Sequence, residues 1–199
     1  MTTETSPGPT WQRGAWMQTY TGRRFYPMDP APADVVPIDI AHALGMLCRY
    51  NGHVDRFYSV AEHCVLMSEY VEHQHSRELA LMALLHDATE AYVGDMIRPL
   101  KVHMPEYRAA EDRVMSAIAH HFGLAELIAR HNGERPPEVK EADSRILLTE
   151  RAELMSATHE TWDVDDLEPL PVAVHAWDPT TAAARYAQRL DELLAKAPR

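Results

Sequence analysis

Residues Leu79 to Leu85 form an unbroken apolar run, and the two residues that follow are His86 and Asp87. No other segment constrains the fold as much. A run this apolar, opened by the cap-like Ser76, reads as a helix buried on most of its faces. Such a helix needs other helices around it. It also delivers two ionisable side chains to a place where burial is costly unless they are paired or bound to metal.

Helical patterning recurs along the chain. Asp39 is placed to cap a helix through Ala41, Leu44, Leu47 and Cys48, ending near Asn51-Gly52. Ser59 with Glu62 makes a capping-box pattern for a helix carrying Val65, Leu66, Ser68 and Tyr70 to about Glu72. The apolar helix is expected to end by Gly94. Pro105 opens a helix with Tyr107, Val114, Ile118 and Phe122 that stops at Gly123. Pro136-Pro137 opens another with Val139, Ala142, Ile146, Leu147 and Leu154, and Pro179 opens the last, through Tyr186, Leu190, Leu193 and Leu194. Strand-like alternation is nearly absent. The expected fold is all-α, a bundle of about six to seven helices. Segment 17–35, rich in turn residues and aromatics, is expected to form an irregular arm with a short hairpin near Gly22, and 163–178 a loop. Residues 1–16 are expected to be a flexible tail and 17–199 a single domain.

The formal net charge of −11 argues against general binding to nucleic-acid backbone, which needs a basic surface. An acidic protein that handles phosphates must use a local cation. No stretch approaches the roughly 20 apolar residues of a membrane span, and the first ten residues lack the apolar core of a secretory signal. Two cysteines, Cys48 and Cys64, are too few for a disulfide scaffold and read as reduced apolar fillers of a cytoplasmic protein.

Among twelve histidines, His86 is distinguished by its place beside Asp87. His63 sits on the preceding helix and Asp143 on a later one, flanked by Ala142 and Ile146. Three helices thus could bring two imidazoles and two carboxylates to one point, a mixed nitrogen and oxygen set suited to Co, Mn, Fe, Ni or Zn more than to Ca. Spacing alone leaves two plainer readings open: a His–Asp pair satisfied in the core, and an exposed Asp143 among Lys140, Glu141 and Arg145. Glu90, four residues past His86 and three past Asp87, is expected to share their helix face and to position or activate a water.

The order His63 … His86-Asp87 … Asp143 resembles the H…HD…D signature of the HD-domain superfamily of metal-dependent phosphohydrolases. Ser59-Val60-Ala61-Glu62-His63 and His86-Asp87-Ala88-Thr89-Glu90 … Gly94-Asp95 are similar to blocks of the YfbR-type bacterial 5′-deoxynucleotidases. Gln18 to Phe25 and Asp39 to Leu44 resemble a sub-branch that includes short HD enzymes acting on dATP. The resemblance spans roughly residues 18 to 155. It implies His63, His86, Asp87 and Asp143 as ligands of one divalent ion, with Mg also admissible. It implies that Glu90 and Asp95 are both needed for catalysis. It further implies a phosphate-binding arginine, Arg49 (Arg56 being its competitor), and an aromatic ring, Tyr50, packing near the sugar C2′ and disfavouring ribonucleotides.

Arg98 and Lys101 could meet further phosphates or form a solvated basic turn. The leading expectation is therefore hydrolysis of deoxynucleoside 5′-monophosphates, and the alternative is a deoxynucleoside triphosphate hydrolase. A dinuclear phosphodiesterase or oxygenase, using His103, His120, His121 or His131, and a non-catalytic nucleotide-binding module are the remaining readings. The expected partner is a small-molecule deoxynucleotide, with neither nucleic acid nor membrane, in a homodimer or larger homo-oligomer.

Overall fold

The computed structural model describes residues 13–195. Most of the tail expected over 1–16 lies outside them. Its last residues do not trail: Arg13 donates to the Asp34 carboxylate at 2.5 Å and to Asp29, and its guanidinium covers the Tyr26 ring. The arm then forms a two-residue antiparallel pair, β1 (Met17–Gln18) with β2 (Arg24–Phe25), turned through the left-handed Gly22 as expected. Phe25 is fully buried and stacks on Tyr92, which fastens the arm to the bundle.

Among the described residues, the long helices are α1 (Pro37–Met46), α2 (Val60–Gln74), α3 (Arg77–Leu85), α6 (Pro105–Phe122), α8 (Pro137–Leu154) and α9 (Pro179–Leu194). Short helices α4 (Glu90–Val93), α5 (Arg98–Lys101) and α7 (Ala125–Arg130) join them. The fold is all-α, as expected. Helix α2 sits at the centre and packs on α1, α3, α8 and α9. Helices α1 and α9 approach so closely at Gly45 that a Cβ there would lie 2.8 Å from the Ala183 Cβ. Tyr186 of α9 is fully buried and its hydroxyl donates to the Leu84 carbonyl, so the apolar face of the last helix packs on this chain's own core.

Several boundaries depart from expectation. Asp39 does not cap α1. Pro37 opens that helix, where a missing N–H costs nothing. Asp39 instead accepts from the backbone and hydroxyl of Thr21 in the arm. Helix α1 stops at Met46, and Arg49–Gly52 is a separate tight turn in which Tyr50 and Asn51 are left-handed, φ 56° and 52°. Ser59 caps α2 by accepting from the Glu62 N–H, but the Glu62 side chain does not complete the box. It accepts from the backbone N–H groups of His175, Ala176 and Trp177, tying the 163–178 loop to the start of α2. Helix α3 ends at Leu85 rather than running to Gly94, and His86 to Thr89 form a turn leading into α4.

Candidate metal centre

His63 lies in the first turn of α2, where Ser59 holds the helix start. His86 and Asp87 lie in the turn after α3, and Asp143 lies near the middle of α8. In the tight turn after Leu85, whose backbone stays helical at His86, the side chains of His86 and Asp87 still reach one point. The Nε2 atoms of His63 and His86 are 3.3 Å apart. Asp87 Oδ2 is 3.1 Å from His86 Nε2 and 3.8 Å from His63 Nε2. Asp143 Oδ1 is 3.5 Å and 3.8 Å from the same two nitrogens.

The other nitrogen of each ring is committed. His63 Nδ1 lies 2.6 Å from Glu150 Oε1 and His86 Nδ1 lies 2.7 Å from the Ala83 carbonyl. An ionised carboxylate and a carbonyl only accept, so each Nδ1 carries a hydrogen and each Nε2 is left to face the cluster. The two Nε2 atoms therefore face one another across 3.3 Å, next to two carboxylates. Two imidazole nitrogens and two carboxylate oxygens this close make a donor set that could hold a cation. Two nitrogens at about 2.1 Å from a common ion, roughly 90–110° apart, would be separated by about 3.0–3.4 Å, so the donor set fits a metal. Burial opposes charge on His86, but Asp87, Cys64 and Asp143 together outweigh it, and the imidazole is held well above its ordinary range. The Asp87 and Asp143 carboxyls are held below theirs: burial opposes this, and the two histidines overcome it. His63, His86 and Asp87 are, among the described residues, the one cluster of three such donors.

Behind His63 lies a network that the sequence reading missed. Glu150, fully buried, accepts from His63, from the Tyr58 hydroxyl at 2.8 Å and from the Tyr50 hydroxyl. Arg49 Nε stands 3.3 Å from its other oxygen, and Arg49 Nη1 stands 3.5 Å from Asp87. Burial pushes the Glu150 carboxyl up, but Arg49 and then His63 outweigh it and hold it at about 2. Asp143 to Glu150 is seven residues, two turns along one face of α8, but nothing in that spacing pairs Glu150 with His63. A second missed residue is Arg135, whose Nη1 donates to Asp143 Oδ2 at 3.1 Å.

The remaining expected site residues divide. Glu90 is buried, with Oε2 unpartnered. Burial, then Asp87 and Asp95, push its carboxyl well up. Asp95 follows Gly94 at φ 80° and is raised by burial, against Arg49. Lys101 is not open to solvent as a free cation: it pairs with Glu111 at 2.6 Å. Arg98 is exposed. Arg56 pairs with its neighbour Asp55, outside the cluster. His120 and His121 bond the Ser116 and Pro32 carbonyls on the exposed side of α6, away from the donor cluster. Cys64 and Cys48 are free thiols, as expected. Cys64 lies 3.9 Å from His86 Nδ1, the nitrogen already bonded to Ala83, and burial pushes its thiol up to about 11, so it is no ligand.

A family model described as HD domain matches residues 50–194, nearly the whole of this helical body. The chain belongs to the HD-domain family. The chain is 38% identical over 157 residues to the uncharacterized protein YfdR of Escherichia coli K12, covering 79% of this chain and 81% of the relative. It is 40% identical over 116 residues to the uncharacterized protein RCAP_rcc00048 of Rhodobacter capsulatus, covering 55% of this chain and 59% of that one. The HD domain places the chain in the superfamily of metal-dependent phosphohydrolases, whose members bind divalent metals, and the His63, His86 and Asp87 cluster could hold one. No helix among the described residues is long and apolar enough to cross a membrane.

Proposed function

We propose that this HD domain hydrolyses the phosphate ester of a deoxynucleoside 5′-monophosphate, giving the deoxynucleoside and inorganic phosphate. The observation that carries the hydrolytic reading is the pair of Nε2 atoms facing each other beside two carboxylates, with both Nδ1 hydrogens committed elsewhere. His63, His86, Asp87 and Asp143 would hold one divalent ion. Such an ion supplies Lewis-acid polarisation of a phosphoryl oxygen and lowers the pKa of water.

The chain's own groups do the rest. Glu90, buried with its Oε2 unpartnered beside Asp87, is suited to position the attacking water and, when ionised, to take its proton. Asp95, its carboxyl raised by burial, is suited to give a proton to the 5′ oxygen as the P–O bond breaks. Arg49 retains an Nε–H without an aligned acceptor beside the cluster, a donor for a phosphate oxygen. Tyr50 and Trp162, ring centroids 6.4 Å apart, give a nucleoside an aromatic edge to lie against. A single phosphate is favoured over three because Lys101 is already paired with Glu111.

The test is product analysis with mono-, di- and triphosphates, ribo and deoxy, across Co²⁺, Mn²⁺ and Mg²⁺. Phosphate release from deoxynucleoside monophosphates is expected, and Asp87→Ala should abolish both metal binding and turnover. Turnover retained by Asp87→Ala in metal-stripped buffer would refute the metal assignment. Release of triphosphate or pyrophosphate as the main product would refute the substrate.

A further inference from the structure

The two carboxylates of the cluster are held differently. Asp87 uses one oxygen, Oδ2, toward His86, His63 and Arg49 alike. Asp143 divides its oxygens. Oδ1 faces the two Nε2 atoms, while Oδ2 accepts from Arg135 Nη1 at 3.1 Å. Arg135 is placed for this by the backbone before α8. Asn132 and Gly133 turn the chain through the left-handed region at φ 57° and 84°. Pro136 is the N-cap at φ −52° and ψ 145°, and Pro137 begins the helix that carries Asp143. The pairing spans eight residues and two structural states, so no helical periodicity predicts it.

We infer that Arg135 is a positioning residue that reserves Asp143 Oδ2 and confines Asp143 to one-oxygen ligation of the metal. The inference rests on the proposed metal site. A carboxylate with both oxygens free can chelate a large ion such as Ca²⁺, which accepts bidentate carboxylates and six to eight oxygens. With Oδ2 reserved, only Oδ1 reaches the ion. Coordination positions then stay available for water and a phosphoryl oxygen, and smaller ions that accept mixed nitrogen and oxygen donors are favoured. Arg135 also offsets part of the negative charge that Asp87, Asp143 and Glu90 concentrate there. Its side chain is 39% exposed, so it can be replaced without opening the core.

Titration of the metal-free full-length protein with Co²⁺ and with Ca²⁺, followed by calorimetry and by the visible spectrum of Co²⁺, tests this. Arg135→Ala should weaken Co²⁺ binding on the order of 10-fold, the lower end for groups that orient metal ligands. It should also narrow the preference for Co²⁺ over Ca²⁺ and lower the Co²⁺ band intensity, as higher coordination requires. Arg135→Lys should fall between Arg135→Ala and the native protein, and Arg135→Gln, which keeps a donor without charge, separates hydrogen bonding from charge. Combined with Asp143→Asn, Arg135→Ala should add no further loss. Unchanged Co²⁺ affinity and spectrum in Arg135→Ala would overturn the inference, as would full additivity with Asp143→Asn. If the native protein itself binds no Co²⁺, it is the metal-site reading that fails. Equal melting temperatures of the metal-free proteins separate a loss of ligand control from a loss of fold.

Discussion

The two sides of the metal cluster are built on opposite terms. On the α2–α8 side, His63, Glu150 and Tyr58 are wholly buried, and nearly every polar atom there has a partner within the protein. On the α4–α5 side, Glu90 keeps an unpartnered oxygen, and the chain beyond Asp95 exposes Ile97, Arg98, Leu100, Val102 and Met104. The first arrangement fixes ring tautomers and directions. The second leaves unsatisfied groups where a water and a phosphate ester would enter. A buried network with this few free atoms, Arg49 Nε among them, has little capacity left to bind. An orphaned polar group beside a partly open wall retains its capacity to interact and is costly until it does so.

That contrast can be broken at its strongest point by Glu150→Ala. The change leaves the His63 Nδ1–H and two tyrosine hydroxyls without an acceptor and the Arg49 charge without its closest partner. Stability measured by urea unfolding should fall by about 3–5 kcal/mol, the range for breaking a buried charge pair. Metal affinity should fall on the order of 10- to 100-fold. A loss of less than about 1 kcal/mol would mean that the closed wall is not held by this carboxylate. On the open side, Glu90→Gln should leave metal stoichiometry and folding intact while lowering kcat on the order of 10²-fold or more. Loss of metal instead would move Glu90 to the closed wall. The smallest effect is expected from Lys101→Ala, which removes a partly exposed pair with Glu111 and should cost about 1 kcal/mol or less. KM for a deoxynucleoside monophosphate should not change. A rise in KM confined to triphosphates would show that Lys101 exchanges Glu111 for substrate and would reopen the triphosphate reading.

Long helices were legible in the chain because their signals are local. Pro105 with Gly123, and Pro137 and Pro179 at first positions, mark ends whose backbone geometry depends on one residue. The misplacements occur where a side chain prefers a distant partner to a local one. Asp39 and Glu62 resemble capping acids, but the arm and the 175–177 backbone claim them. The His86 turn was hidden for another reason. The residues through Thr89 have ordinary helix propensity, and the backbone at His86 and Thr89 stays helical, so no local residue marks the end of α3 at Leu85.

By itself, the sequence determined an all-α chain with its apolar helix ending in His-Asp, and it named the residues whose nitrogens and oxygens converge. Periodicity and caps are properties of a few consecutive residues, so they are readable without the fold. Which ring nitrogen faces the cluster, which oxygen of Asp143 is free, and that Arg135 and Glu150 stand behind the ligands were decided by tertiary structure alone. Hydrogen bonds act over about 3 Å in space. The partners they choose here lie 8 residues apart in one case and 87 in another, and no local pattern in the chain encodes those choices.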